Sequence, residues 1–155
     1  MLQKVELIYF PETPVAALEH HGPEHLVHNT SKKFIEWRKA NGVSPNHGAT
    51  YGIHYADHHT TLPEAYRLDI CVSVSAPVAA NAQGVINKVI PGGNCAKIRH
   101  VGARHNMNSV VYLLQEWLPA SGKKLRDFPV YFHYVNVGPA VQDHAMITDI
   151  YLPLL

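Results

Sequence analysis

Histidine is the residue most conspicuous for chemistry in this 155-residue chain. There are twelve. Four fall in EHHGPEHLVH, residues 19–28: His20, His21, His25 and His28. A looser group, His54, His58 and His59, lies in HYADHHTT. Imidazole binds zinc, but a zinc site needs three or four ligands converging, with hydrogen bonds behind them to fix their orientation. No HExxH is present, and no thiolate pair accompanies the histidines. Cys71 and Cys95 lack CxxC spacing and read as small buried hydrophobes in a reducing compartment. Neither a native metal site nor a cofactor is expected. Gly92-Gly93 follows Pro91 in a strand-to-strand turn rather than preceding a helix, so it is no phosphate cradle. Ser109 and Ser121 show no nucleophile spacing and read as helix and turn residues.

The elements that must position these side chains come in two copies. Setting residue n against n+80 without gaps gives fourteen identities, where unrelated sequences of this composition would give about four or five. Glu36-Trp37 meets Glu116-Trp117, and Gly22 and Gly42 meet Gly102 and Gly122. Tyr51 meets Tyr131, and Asp69-Ile70 meets Asp149-Ile150. This reads as an internal duplication: repeat one over 4–74, a linker over 75–83, and repeat two over 84–154. His20 and His25 recur as His100 and His105, each pair flanking a glycine. A repeated position serves the shared fold, so these histidines are expected to be structural.

Each copy shows the same order. Residues 4–10 and 84–90 are strand-like, and PETP (11–14) and PGGN (91–94) read as turns. A second strand follows over VAALEH and CAKIRH. A helix comes next. In copy one it starts near Pro23 and stops at Gly42, with Val27, Phe34, Trp37 and Ala40 near one face. In copy two Val110, Val111, Leu114 and Trp117 play that part, and Pro119 and Gly122 end it. Two strands close each copy, at 50–55 and 67–74, then at 130–136 and 147–154. The expected class is α+β: a tandem of β-β-α-β-β modules, with two long helices on antiparallel sheet and a central ligand cleft where the modules meet.

Composition narrows the function. The formal net charge is +1, and no basic run exceeds two residues, so direct nucleic-acid binding is not expected. No apolar stretch is long enough to span a membrane, and the first ten residues lack the plan of a signal peptide. A cytoplasmic protein is expected.

Three segments carry a family resemblance: IPGGNCAKIRHVG (90–102), LLQEWLPASGKKLRDFPVYFHYVN (113–136) and TDIYLPL (148–154). Together with YGIHYADHHTTLPEAYRLDICVSV (51–74), they resemble the GyrI-like small-molecule-binding family over nearly the whole chain. The family also occurs as the effector-binding domain of AraC-type and MerR-type transcription regulators. Standalone members resemble gyrase inhibitors and multidrug-binding modules, and some relatives hydrolyse reactive small molecules. A chain of this length leaves no room for a helix-turn-helix, so the resemblance implies the effector-binding part alone. It also implies a buried glutamate in a Pro-x-Phe-Glu-x-Tyr pattern, and here Phe132 stands in that place. A hydrolase dependent on that acid would be inactive, so no catalytic residue is expected.

The resemblance further implies an acid and a tyrosine lining the cleft from the last strand. Strand alternation does place Asp149, Tyr151 and Pro153 on one face and Ile150 and Leu152 on the other. The plainer role for Asp149, as for its repeat mate Asp69, is pairing with a backbone group or an arginine such as Arg67. Flat ligands favour aromatic walls, which makes Tyr51, Tyr55, Trp117, Phe132, Tyr134 and Tyr151 the remaining ligand-binding candidates. The expected ligand is small and aromatic, neutral or cationic. The competing readings are a hydrolase of reactive small molecules and a gyrase-inhibitor-like protein-interaction module.

Overall fold

In a computed structural model, residues 4–44, 47–55, 62–104, 107–138 and 140–155 are described. In chain order the main elements begin with β1 (Val5–Phe10), β2 (Thr13–His21), α1 (Val27–Ala40) and β3 (Thr50–His54). They continue with β4 (Arg67–Ser73), β5 (Ile86–Ile90) and β6 (Gly93–Val101). Then come α2 (Asn108–Tyr112), a π-helical turn over Leu113–Trp117, α3 (Leu118–Ser121), β7 (Tyr131–Tyr134) and β8 (Ile147–Pro153). The chain divides into two compact units. One is Met1–Glu12 with Pro91–Leu155, and the other is Thr13–Ile90.

Each unit holds a four-stranded antiparallel sheet. In the Thr13–Ile90 unit the order is β3-β4-β2-β5. In the other it is β7-β8-β6-β1. The registers match at an offset of eighty: Tyr51 faces Cys71 as Tyr131 faces Tyr151, and Ala17 faces Ile86 as Lys97 faces Glu6.

The expected turns at PETP and PGGN are not hairpins. β1 does not fold back on β2 but pairs with β6, and β5 passes over β6 to pair with β2. Each compact unit thus takes its first strand from the far end of the eighty-residue offset. A two-residue hairpin needs a residue at positive φ. Pro11-Glu12 supplies none, since no described non-glycine residue has positive φ. Where the two connecting segments meet, Gly92 lies so close that a Cβ on it would stand 2.9 Å from Glu12 N and 3.2 Å from Phe10 O. Backbone contact of that kind accepts glycine alone.

The helices cover one face of each sheet. Phe34 and Trp37 of α1 pack with Ala16, Leu18, Val72 and Val85, while Ala40, expected on that face, is exposed. In the other unit Leu113 is fully buried among Ala96, Ile98, Phe132, Ile150 and Leu152, and Val110, Leu114 and Trp117 pack around them. Val111 points outward. Pro119 explains the π turn beside it: with no N–H to give the carbonyl four residues back, the helix opens to a wider repeat. Its counterpart in α1 is Lys39, and there the helix is regular.

The repeated histidines fasten strand to helix. His20 Nε2 lies 3.1 Å from Pro23 O and 3.2 Å from Gly22 O, so it donates. Nδ1 therefore accepts from the Thr30 hydroxyl at 2.7 Å. His100 sits likewise between Ala103 O and Ser109 Oγ. Neither ring has a lone pair left for a metal. His58, His59 and His105 lie outside the described residues. Among the described residues no group of three His, Cys, Asp or Glu side chains converges on one point. Both cysteines are free and buried. The segment read as a linker is tied along β5, with Val78 and Asn87 exchanging hydrogen bonds at 2.7 and 3.2 Å. No helix among the described residues is long and apolar enough to cross a membrane.

Candidate functional site

Strand alternation sorts the candidates onto two faces of each sheet, and only the face away from the helices gathers charge. In the Thr13–Ile90 unit that face carries Glu19, Asp69, Lys88, Tyr51 and Ile53. Asp69 is fully buried. Its Oδ2 accepts from Lys88 Nζ and from the Tyr55 hydroxyl, both at 2.7 Å. Lys88 also donates to Glu19 Oε2 at 2.6 Å. Arg67, expected beside the aspartate, reaches Glu19 instead at 3.2 Å. Its guanidinium lies over the Tyr55 ring, 4.1 Å from the centroid, and that stacking holds it away from Asp69.

The charges in this group shift one another. The hydrogen bond from Lys88 holds Glu19 below the ordinary carboxylate range, and burial offsets this only in part. For Lys88 burial works against the ammonium, but its bonds to Asp69 and Glu19 raise its pKa overall. Burial, and then donation to Asp69, push the Tyr55 phenol up to about 12.

In the other unit the same face carries Lys97 and Arg99 from β6, Tyr131 and His133 from β7, and Asp149 and Tyr151 from β8. Arg99 grips Asp149 with both prongs, Nε to Oδ1 at 2.8 Å and Nη2 to Oδ2 at 3.0 Å. Lys97 stands farther off, 3.5 Å from Oδ2. Burial pushes the Asp149 carboxyl up, but the Arg99 bonds and the charges of Lys97 and Arg99 outweigh it, so its pKa falls. Burial lowers the pKa of the neighbouring His133. Beside these groups the rings of Tyr131 and Tyr151 stack at 5.1 Å, and Phe10 meets both edge-on.

The seven sequence candidates therefore do not form one group. Asp149 and Tyr151 stand together. Tyr51 and Tyr55 lie on the corresponding face of the Thr13–Ile90 unit. Phe132, Tyr134 and Trp117 belong to the helix-side core, and Phe132 is only 7% exposed. The reason is register: Phe132 faces Ile150, a core residue, and its neighbours Tyr131 and His133 point the other way. An apolar residue at 132 thus fills the core and lines no wall beside Asp149. Sequence reading missed Lys88, Lys97, Arg99 and Tyr131. Alternation with Ala96 and Ile98 could have placed the β6 cations. Lys88 could not have been placed without knowing that β5 crosses to β2.

The model of the GyrI-like small molecule binding domain matches residues 3–155. The chain belongs to this GyrI-like family. A relative in Escherichia coli strain K12, described as "Probable transcriptional regulator YgiV", is 44% identical over 152 residues, covering 97% of this chain and 95% of its own. Among solved structures, the EcmrR C-terminal domain aligns over 100% of this chain and 99% of that one, with a TM-score of 0.79 at 18% identity. Against EcmrR in its DNA complex the TM-score is 0.78, again at 18% identity. The match covers 99% of this chain but only 58% of that one. A hydrolase from Listeria innocua aligns over 99% of this chain and 92% of its own, with a TM-score of 0.65 at 13% identity. At these identities the structural likenesses speak for the GyrI-like fold and not for a shared activity.

Proposed function

We propose that this GyrI-like chain is a non-catalytic binding module for small, flat aromatic molecules, whose occupancy a regulatory partner reads. One observation supports this above the others: the acid best placed for chemistry is unfit for it. A hydrolytic general acid must keep its proton near neutral pH, which requires a raised pKa. Asp149 is instead clamped on both oxygens by Arg99, with its pKa lowered. The surroundings are aromatic, since Phe10, Tyr131 and Tyr151 form a largely buried cluster whose rings have few rotors to freeze when a flat ligand packs at its rim. The YgiV likeness favours a regulatory setting, and the net charge of +1 favours a partner for any contact with DNA.

Thermal unfolding of the purified protein against flat aromatic compounds tests the reading. A ligand at about a hundred times its dissociation constant adds roughly 2.7 kcal/mol, a rise of several degrees in Tm. A flat response across such a panel would sink the proposal. Turnover of a reactive ester or strained ring that disappears in Asp149→Asn would favour the hydrolase instead.

A further inference from the structure

We infer that the aromatic ligand proposed above carries a negative charge, received by Lys97 beside Tyr151. The inference rests on the binding reading and concerns the charge of the ligand. A carboxylate free to meet a cationic ligand would favour such a ligand, and none of the buried carboxylates described on these faces is free. Asp149 gives both oxygens to Arg99. In the other unit Glu19 and Asp69 share Lys88, and Glu19 also takes Arg67. Two acids against two bases leave that group neutral.

The Asp149 group has two acids, Asp149 and Glu6, against three bases, Arg99, Lys97 and Lys4, so one positive charge is left over. Arg99 already satisfies the Asp149 carboxylate in fork geometry, the strongest arrangement open to the pair. Lys97 is then surplus. Its ammonium makes the looser 3.5 Å approach to Asp149, and its side chain stays 26% exposed. Glu6 is the register partner of Lys97, yet its carboxylate turns to Lys4 at 3.9 Å and is half-exposed. His133 adds no counter-charge, being held neutral by burial. The Lys97 ammonium also lies 6.0 Å from the centre of the Tyr151 ring. An aromatic carboxylate could set its charge against the partly exposed Lys97 and its ring at the rim of Tyr151, which is only 7% exposed, while Arg99 keeps Asp149 satisfied. An aromatic cation placed there would meet the surplus positive charge.

Three naphthalene probes of one shape test this on the full chain by titration calorimetry: 2-naphthoate, 2-naphthylmethanol and 2-naphthylmethylammonium. The expected order is anion, then neutral, then cation, with the anion ahead of the alcohol by about tenfold, the worth of one charge-assisted hydrogen bond. In Lys97→Met the anion should fall to parity with the alcohol, and Lys97→Arg should restore the order. Raised salt should narrow the gap. If the alcohol and the ammonium bind and the naphthoate does not, the charge assignment is overturned and the aromatic reading stands. If the naphthoate binds equally well to Lys97→Met, the anchor is not Lys97. If none of the three binds, both readings fall.

Discussion

Asp69 and Asp149 occupy the same place in the two units, on corresponding strands eighty residues apart. Both are buried, at 0% and 2% exposure. Their partners differ in kind and in origin. Asp149 is served by a fork from the adjacent strand, and both its oxygens are bonded. Asp69 has two donors on one oxygen, and the other is buried without a partner. Its cation, Lys88, comes from β5, beyond β2. Ile8 of β1 holds the place of Lys88 in the other unit, and Val15 and Ala17 hold those of Cys95 and Lys97. The fold requires a cation for the buried acid but not any particular strand to supply it. One arrangement leaves no charge over, and the other leaves Lys97.

The largest break in this comparison should come from Lys88→Met. It strips the fully buried Asp69 of the cation bonded to it, and loss of one partner of a buried pair costs about 3–5 kcal/mol. Urea unfolding should show it as a clear drop in midpoint. Arg99→Met should cost less, about 1–2 kcal/mol, because Lys97 remains to approach Asp149 and the Arg99 side chain is half-exposed. If the two losses were equal, the proposed redundancy of Lys97 would be wrong. Smaller still should be Tyr55→Phe, about 1 kcal/mol for one hydroxyl, since Lys88 keeps its bond to Asp69.

Stability against pH tests the Lys88 group further. Glu19 and Asp149 have lowered pKa values, so their contributions are full above the ordinary carboxylate range near about 4. They fade as pH falls below it. Lys88 and Tyr55 have raised values. Their contributions are complete below about 10 and are lost as pH climbs through their folded values, about 12 for Tyr55. The alkaline limb should therefore become shallower in Lys88→Met, keeping the part due to the buried Tyr51, Tyr55, Tyr131 and Cys71, and keep its slope in Arg99→Met, as urea midpoints between pH 8 and 12 would show. An unchanged alkaline limb in Lys88→Met would place its origin elsewhere.

Much of this was legible in the residues. Apolar patterns with their Pro and Gly stops located both helical segments and all eight strands, and alternation along TDIYLPL separated Asp149 and Tyr151 from Ile150 and Leu152. Pairing was not legible, because it is non-local. Phe132 lies in a strand of four residues, too short for its own pattern to show a face, and only the register with Ile150 fixes its side. The exchange of β1 and β5 left a faint trace in Pro11-Glu12, whose types cannot make a two-residue hairpin. Choosing the actual partner strand needed the folded chain. The cations followed from that choice, so Lys88 was invisible and Lys97 looked like any surface lysine.

The exchanged first strands also set an order of assembly on the ribosome. Everything in the Thr13–Ile90 unit is contiguous and can close once β5 has emerged. β1 leaves the tunnel earlier, yet its partner β6 follows more than eighty residues later, a wait of roughly 4–16 s at 5–20 residues per second. Throughout that interval the Phe10 side chain, buried in the folded unit, and the β1 edge that pairs with β6 remain open to solvent. The earliest strand made is among the last to find its place, and a nascent-chain chaperone has its plainest target there.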